Sequence, residues 1–553
     1  MTMKTGFNDI GQGTKNSGTD TSGEVSSRNA GKRWLWVAVV WLGILAFYVS
    51  FARPYFGPNS DAVYYLAGAE SFADGHGYRF PMFPGTPPIP LYPPGLSLAF
   101  TPVFWGFPTC SAQIIGCLTL LVAVTLVGVP LSMSILLRLG VPIGLASLAT
   151  LSIIASPHWF LTVCSLGSDT PFAVLTWFGG WWWLRNQQTL TPWSLLPVAA
   201  ALFLAQLFRS AGIALYVGLI AAELLQNRRR ALWSVPVLGL SYLSAGLLRR
   251  AIIPAGGVGY MAEWGRLIQD RGGLDWYGAH VLENAWSFVS GHQLHELLWP
   301  WVARLPQIAG RYSANVSSLF EVALALAWIA LLAMMTSPAF RRWRESRRSP
   351  EAGSSVRGSD YAMTFLLGLG ATIGMLIVVP NDFGNFPRYL LWTSPFLVAA
   401  LWNGIRSAVP SEHLRSLATI GALFLCLVTA SDCWISRSIL ARANSNHGLE
   451  EGLAFVDEIK PILTQDSTVA AAPLVPWIHF WDRVNRPFFG NFYGLDLSTT
   501  PPCPWVDRAT NCTFVMTHSM DELDGLAATL GWSVVTRSTG GRYALYRTPK
   551  GKR

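Results

Sequence analysis

Residues 34–51 read WLWVAVVWLGILAFYVSF, directly after Lys32 and Arg33, and residues 59–65 read NSDAVYY. The apolar run is long enough to cross a bilayer core as one helix and to serve as an uncleaved anchor. With the basic pair held on the cytoplasmic side, the N-terminus stays inside and Asp61 emerges at the outer water boundary. A carboxylate there stays ionised and can accept a proton from an incoming hydroxyl. Gly75-His76-Gly77-Tyr78 and Leu91-Tyr92-Pro93-Pro94-Gly95 follow on the same side. A purely structural reading also exists: Asp61 caps an interfacial helix that begins near Ala62, and Pro93-Pro94-Gly95 breaks the chain before the next helix.

Composition sets the class. Of 553 residues, 51% are hydrophobic, 13% are charged and 25 are Trp, which describes a polytopic α-helical membrane protein whose solvent is mostly lipid. The net charge of +9 would suit nucleic acid in a soluble chain. In a membrane chain basic residues belong first to the cytoplasmic loops, and that placement leaves no nucleic-acid partner to explain.

Residues 1–32 are rich in Gly, Ser, Thr and Asn and read as a disordered cytoplasmic tail. Residues 33–440 form the membrane domain. Apolar runs near 34–51, 112–137, 143–164, 170–184, 193–208, 212–226, 231–253, 316–336, 361–380, 389–403 and 416–434 give about eleven spans. That count puts Arg138, Arg185, Arg228-Arg229-Arg230, the basic loop at 337–360, Arg406 and Arg415 on the cytoplasmic side, as the positive-inside rule requires. Leu96–Phe107 is too short to cross comfortably, and a crossing there would reverse every later loop, so it reads as re-entrant or interfacial.

Three segments are then external. The first is the loop at 53–111; the second, at 254–315, carries both signs of charge with Trp and Tyr and reads as a lid against the interface. Residues 441–553 change composition and read as a small outer α/β domain, with strands at 467–471, 512–516, 531–535 and 543–546 and helices at 448–463 and 521–530. Cys503 and Cys512 lie close together in it and could form a local disulfide in an oxidising compartment, or remain two buried thiols.

Charges at span ends away from the cytoplasm call for a functional explanation. Besides Asp61 these are Asp169 in Gly167-Ser168-Asp169-Thr170-Pro171, Arg209 in Phe208-Arg209-Ser210-Ala211-Gly212, and Arg388 in Pro387-Arg388-Tyr389-Leu390. The competing explanations are a helix cap for Asp169 and snorkelling to headgroups for the arginines. Two acids and two arginines on one face suit a lipid-phosphate sugar donor: cations take the charge left on the departing phosphate, and one carboxylate deprotonates the acceptor. Tyr92 and Tyr389 join the substrate-binding set.

The ordered features are a span, Asp-x-x-Tyr-Tyr, a Gly-rich turn and Tyr-Pro-Pro-Gly, then Ser-Asp-Thr-Pro opening a span, Arg-x-x-Gly closing one, and a late Arg-Tyr-Leu-Leu. Together they resemble the GT-C membrane glycosyltransferases, above all bacterial relatives of the dolichyl-phosphate-mannose protein mannosyltransferases and of the lipid A aminoarabinose transferase. The resemblance covers most of the chain. It implies a bacterial inner-membrane enzyme that moves a sugar from a polyprenyl-phosphate carrier to a hydroxyl of a lipid, glycan or protein, with inversion. Asp61 would be the general base, Asp169 a second acid near the acceptor or a metal, and Arg388 a phosphate contact. Ser60-Asp61 replaces the acidic pair of better-known relatives, which leaves a divalent metal open, with Glu70, His76 and His280 as substitute ligands. The alternatives are a transporter or flippase of lipid-linked glycans and a non-catalytic GT-C-like subunit.

The orientation is testable directly. A periplasm-active alkaline phosphatase fused after Arg553 is expected to be active and one fused at Ser349 silent; the reverse pattern would overturn the eleven-span topology.

Overall fold

The computed structural model describes residues 22–54, 61–81, 92–186, 190–226, 228–253, 271–290, 359–379 and 386–446, with shorter pieces within 88–89, 264–269, 293–333 and 454–549. The calls on Cys503, Cys512 and the 316–336 span fall wholly or mostly outside these residues. Most of the described chain is helical, with a small sheet near the C-terminus.

Helix α1 is Ser22–Phe51, α2 Ala62–Ala73, α3 Gly95–Gly106 and α4 Cys110–Arg138. The chain continues through α5 Ile143–Ala155, α6 Pro157–Cys164, α7 Asp169–Asn186, α8 Pro192–Phe208, α9 Gly212–Gln226 and α10 Arg228–Ile252. Then come α11 Gly273–Val289, α12 Ser359–Val378, the short α13 Phe386–Tyr389, α14 Ser394–Ala408 and α15 Leu414–Asn446. Helix α1 therefore starts within the stretch read as a tail, and α15 runs past the boundary placed at 440.

Four helices are long and apolar enough to cross a membrane unaided: Trp34–Phe51, Ala112–Arg138, Arg229–Ile252 and Leu414–Ser438. A fifth is the bent pair α5 and α6, and α3, α8, α9 and the apolar part of α12 are shorter. Helix α3 is one of these short pieces; it packs along α2 and also touches α4 and α8. Backbone approach there is tight, because a Cβ on Gly95 would lie 2.6 Å from the Leu207 carbonyl oxygen.

The expected span at 143–164 is broken, and the sequence says why. Pro157 has no N–H to continue the ladder, and Ser156 is extended, at ψ 147°, so the two halves meet at 47°. Lipid offers no hydrogen bonds, so the freed carbonyls must find partners inside the bundle. Ser156 Oγ donates to Ile153 O at 2.8 Å, Tyr48 Oη to Ile154 O at 3.0 Å, and Ser436 Oγ to Ala155 O at 3.4 Å. Asp432 lies one turn before Ser436 on α15; it is fully buried, and neither of its carboxylate oxygens has a partner among the described residues.

At the end of α6 the turn is equally specific. Leu166 is the one described residue other than glycine with positive φ, 53°, and Gly167 N–H reaches back to Thr162 O at 2.8 Å. This is the Schellman arrangement with leucine in the left-handed position usually held by glycine. It turns the chain sharply into Ser168 and Asp169.

The C-terminal sheet has strand order β2-β1-β3-β5-β4. Its strands are β1 Val469–Ala471, β2 Phe488–Gly490, β3 Phe514–His518, β4 Ser533–Arg537 and β5 Tyr543–Arg547. β1 runs parallel to β2 and β3, whereas β5 is antiparallel to β3 and β4. Four of these strands overlap runs expected from the sequence. β2 was not expected, since Phe488-Phe489-Gly490 is too short to show alternation.

Tyr48→Phe removes the hydroxyl that donates to the buried Ile154 carbonyl. It is expected to lower stability by about 1–3 kcal/mol, read as an earlier thermal transition of the purified protein in detergent.

Candidate active site

Asp61 directly precedes α2 in helical conformation, and its side chain makes no cap hydrogen bond. The carboxylate instead faces two other segments. Tyr92 Oη donates to Oδ1 at 3.1 Å, and Arg388 Nη1 lies 3.3 Å from Oδ2. The Asp61 side chain keeps 22% of its surface exposed. The capping explanation therefore does not account for its side chain, although α2 does begin at Ala62.

Asp169 opens α7 and forms an ion pair with Arg209, which caps the C-terminus of α8. Both side chains are buried. The Arg209 guanidinium stands 4.2 Å from the centre of the Tyr389 ring, and that of Arg388 stands 5.3 Å from the same ring. All six residues expected to act as catalytic or substrate-binding groups thus fall in one connected cluster.

Helix ends explain the arrangement of charge. Asp61 and Asp169 sit at N-termini, where the partial charge of the helix is positive; Arg209 and Arg388 sit at C-termini, where it is negative. The Tyr389 ring stands between the guanidiniums of Arg209 and Arg388 and joins the two cations. Burial would lower the Arg388 guanidinium; Tyr389 and Asp61 outweigh that and raise it, so it is a permanent cation. Its Nε–H is buried and has no hydrogen-bond partner among the described residues, while the side chain as a whole keeps 30% of its surface exposed.

Several supporting residues were not anticipated. Tyr65 Oη and Ser168 Oγ share a hydrogen bond of 2.9 Å, which ties α2 to the start of α7. The signal was present: Tyr65 is one turn from Asp61 and therefore on its face of the helix. Arg249 Nη1 donates to Ser210 Oγ at 2.8 Å and holds the turn that carries Arg209. It meets the same span-end criterion as Arg209 and was passed over. Tyr64 packs 4.2 Å from the Tyr92 ring and fixes the tyrosine that holds Asp61.

The candidate metal ligands lie elsewhere. The partners of the two acids are Tyr92 and Arg388 for Asp61 and Arg209 for Asp169. His76 is exposed, and His280 is buried on α11, stacked 4.7 Å from Trp276. Among the described residues no three His, Cys, Asp or Glu side chains group to hold a metal ion.

An apolar cavity of about 70 Å³ opens between α7, α8, α9, α12 and α14. Gly180, Leu202, Leu219, Phe365, Trp392 and Phe396 are among its lining residues. Trp177 Nε1 donates to Trp392 O at 2.8 Å and fixes the wall nearest Tyr389.

No family model matches the sequence, and no curated protein does. In fold the chain is similar to two crystal structures of ArnT from Cupriavidus metallidurans. The apo form superposes with a TM-score of 0.55 at 16% identity, over 95% of this chain and 99% of that one. The form bound to undecaprenyl phosphate gives 0.53 at 14% identity, over 95% of this chain and 98% of that one. The likeness to the lipid A aminoarabinose transferase expected from the sequence is thus present as a likeness of fold.

The buried pair is open to test. Arg209→Ala leaves Asp169 charged and unpaired and is expected to cost about 3–5 kcal/mol of stability. Adding Asp169→Asn should recover most of that loss in thermal unfolding; equal stability of the single and double variants would argue against a buried pair.

Proposed function

We propose that the chain is a GT-C-type glycosyltransferase that moves a sugar from a polyprenyl-phosphate carrier to a hydroxyl of a lipid, glycan or protein at the outer leaflet of the bacterial inner membrane. The observation that carries this reading is the setting of Asp61, a part-exposed carboxylate held by Tyr92 and Arg388 beside a second arginine, in a bundle that also holds an apolar cavity. The likeness in fold to an ArnT structure bound to undecaprenyl phosphate supports a carrier of that chemistry.

Each group then has a role. Arg388 takes the donor phosphate through the exposed part of its guanidinium while Nη1 holds Asp61, so phosphate and base are fixed by one planar side chain. Arg209 adds positive charge through Tyr389, and the cavity accepts the first part of the polyprenyl tail. The acceptor oxygen attacks the anomeric carbon on the face opposite the phosphate. The new carbon–oxygen bond forms as the bond to the phosphate oxygen breaks, its electron pair leaves with the polyprenyl phosphate, and Asp61 takes the acceptor proton. Attack from that face inverts the anomeric centre. Asp169 is ill placed to be the base, because it is buried and committed to Arg209.

The test is transfer from a radiolabelled polyprenyl-phosphate sugar by purified wild type and Asp61→Asn, with melting temperatures measured alongside. Asn keeps the volume but cannot take the proton, so transfer should fall about 10²–10⁴-fold with the melting temperature unchanged. Wild-type turnover in the Asn variant would remove Asp61 as base. A wild type that binds the donor but never releases its sugar would favour a carrier of lipid-linked glycans instead.

A further inference from the structure

At the end of the bundle opposite the cluster, three helices finish together, and each has an arginine in its last turn: Arg138 on α4, Arg185 on α7 and Arg406 on α14. Helix α7 starts at Asp169 and runs 18 residues to this end, a distance of about 27 Å and close to the thickness of a bilayer core. The ends of α4 and α14 are joined by Trp402 Nε1 donating to Gly140 O at 2.9 Å and Asn403 Nδ2 donating to Leu139 O at 3.1 Å. A Cβ on Gly140 would lie 3.6 Å from the Arg406 guanidinium, and Arg185 is near enough to Arg138 for the two like charges to interact.

A helix C-terminus favours one cation, which explains each arginine singly. It does not explain why three of them converge against their mutual repulsion. Arg185 and Arg406 are exposed and make no ion pair among the described residues. The connection that follows Arg185, residues 185–193, contains no Asp or Glu. In the third connection, 406–415, the one acid is Glu412, which lies 3.6 Å from His413. Trp181 and Trp182 stand beside the Arg185 guanidinium at 5.6 and 6.0 Å, the amphipathic rings that settle at headgroup depth.

We propose that Arg138, Arg185 and Arg406, with Trp181 and Trp182, bind the phosphate headgroup of an anionic glycerophospholipid in the leaflet opposite the active face. Guanidiniums at the headgroup plane meet phosphate with paired N–H donors, and the tryptophans cover the glycerol and upper acyl region. The site stands apart from the Asp61 cluster and does not depend on the reaction assigned to it.

Native mass spectrometry of the full-length protein, titrated with cardiolipin or phosphatidylcholine in detergent, tests this. Wild type should retain cardiolipin over phosphatidylcholine, and Arg185→Gln and Arg406→Gln should each weaken that retention roughly fivefold. Arg229→Gln removes an equal charge from the start of α10 and should retain cardiolipin as wild type does. Equal retention by wild type, Arg185→Gln and Arg406→Gln overturns the proposal, as does an equal loss in Arg229→Gln. Full displacement of cardiolipin by inorganic phosphate would overturn the lipid assignment in favour of a soluble anion.

Discussion

Asp169 and Arg209 sit where neither could be charged alone. Removing an ion from water costs several kcal/mol even after relaxation, so each is tolerated only because the other is present. Much of the outer face rests on this pair. Arg209 lies against Tyr389, whose neighbour Arg388 reaches Asp61; Asp61 lies one helical turn from Tyr65, which bonds to Ser168, the residue before Asp169. The interactions close into a ring through α2, α7, α8 and α13. A ring has no loose end, so each charged group is oriented from two sides, which is what a pre-organised site for an anion requires.

Below that face the constraint is the absence of water. The bend between α5 and α6 exposes three carbonyls, and hydroxyls from α1, α15 and the break itself answer them. The left-handed Leu166 stands in a position glycine would fill without strain. Its cost is borne a few residues from Asp169, where the direction of the chain decides whether the acid meets Arg209.

The cluster was legible in the sequence because it follows a one-dimensional rule: charges at span ends away from basic loops are unusual wherever they fold. Asp61, Asp169, Arg209 and Arg388 all obey it. Their partners were not legible, since nothing in the local sequence of Arg388 says that it meets Asp61, 327 positions earlier, rather than Asp169. Glu70, His76 and His280 were named by residue type alone, and geometry does not join them to the two acids. The helices were found by length and hydropathy; that rule set Leu96–Phe107 apart as too short to cross, but it counted α8 and α9 as spans although they too are shorter apolar helices. The break at Ser156-Pro157 was written in the sequence by Pro157, which has no N–H to donate, but the hydropathy of the whole run carried 143–164 as one span. Asp432 shows the opposite failure, a lone carboxylate inside an apolar run that drew no attention despite its complete burial.

The distribution of charge over helix ends carries a consequence for assembly. The acids lie where helices leave the cluster and the arginines where helices arrive at it, with α7 departing from Asp169 and α8 returning to Arg209. An even number of crossings must therefore separate them. Misinsertion of one intervening helix would place a guanidinium on one side of the membrane and its carboxylate on the other, leaving both stranded. The ring thus acts as a parity check on threading: it can be neutralised only in a chain whose intervening passes are even in number.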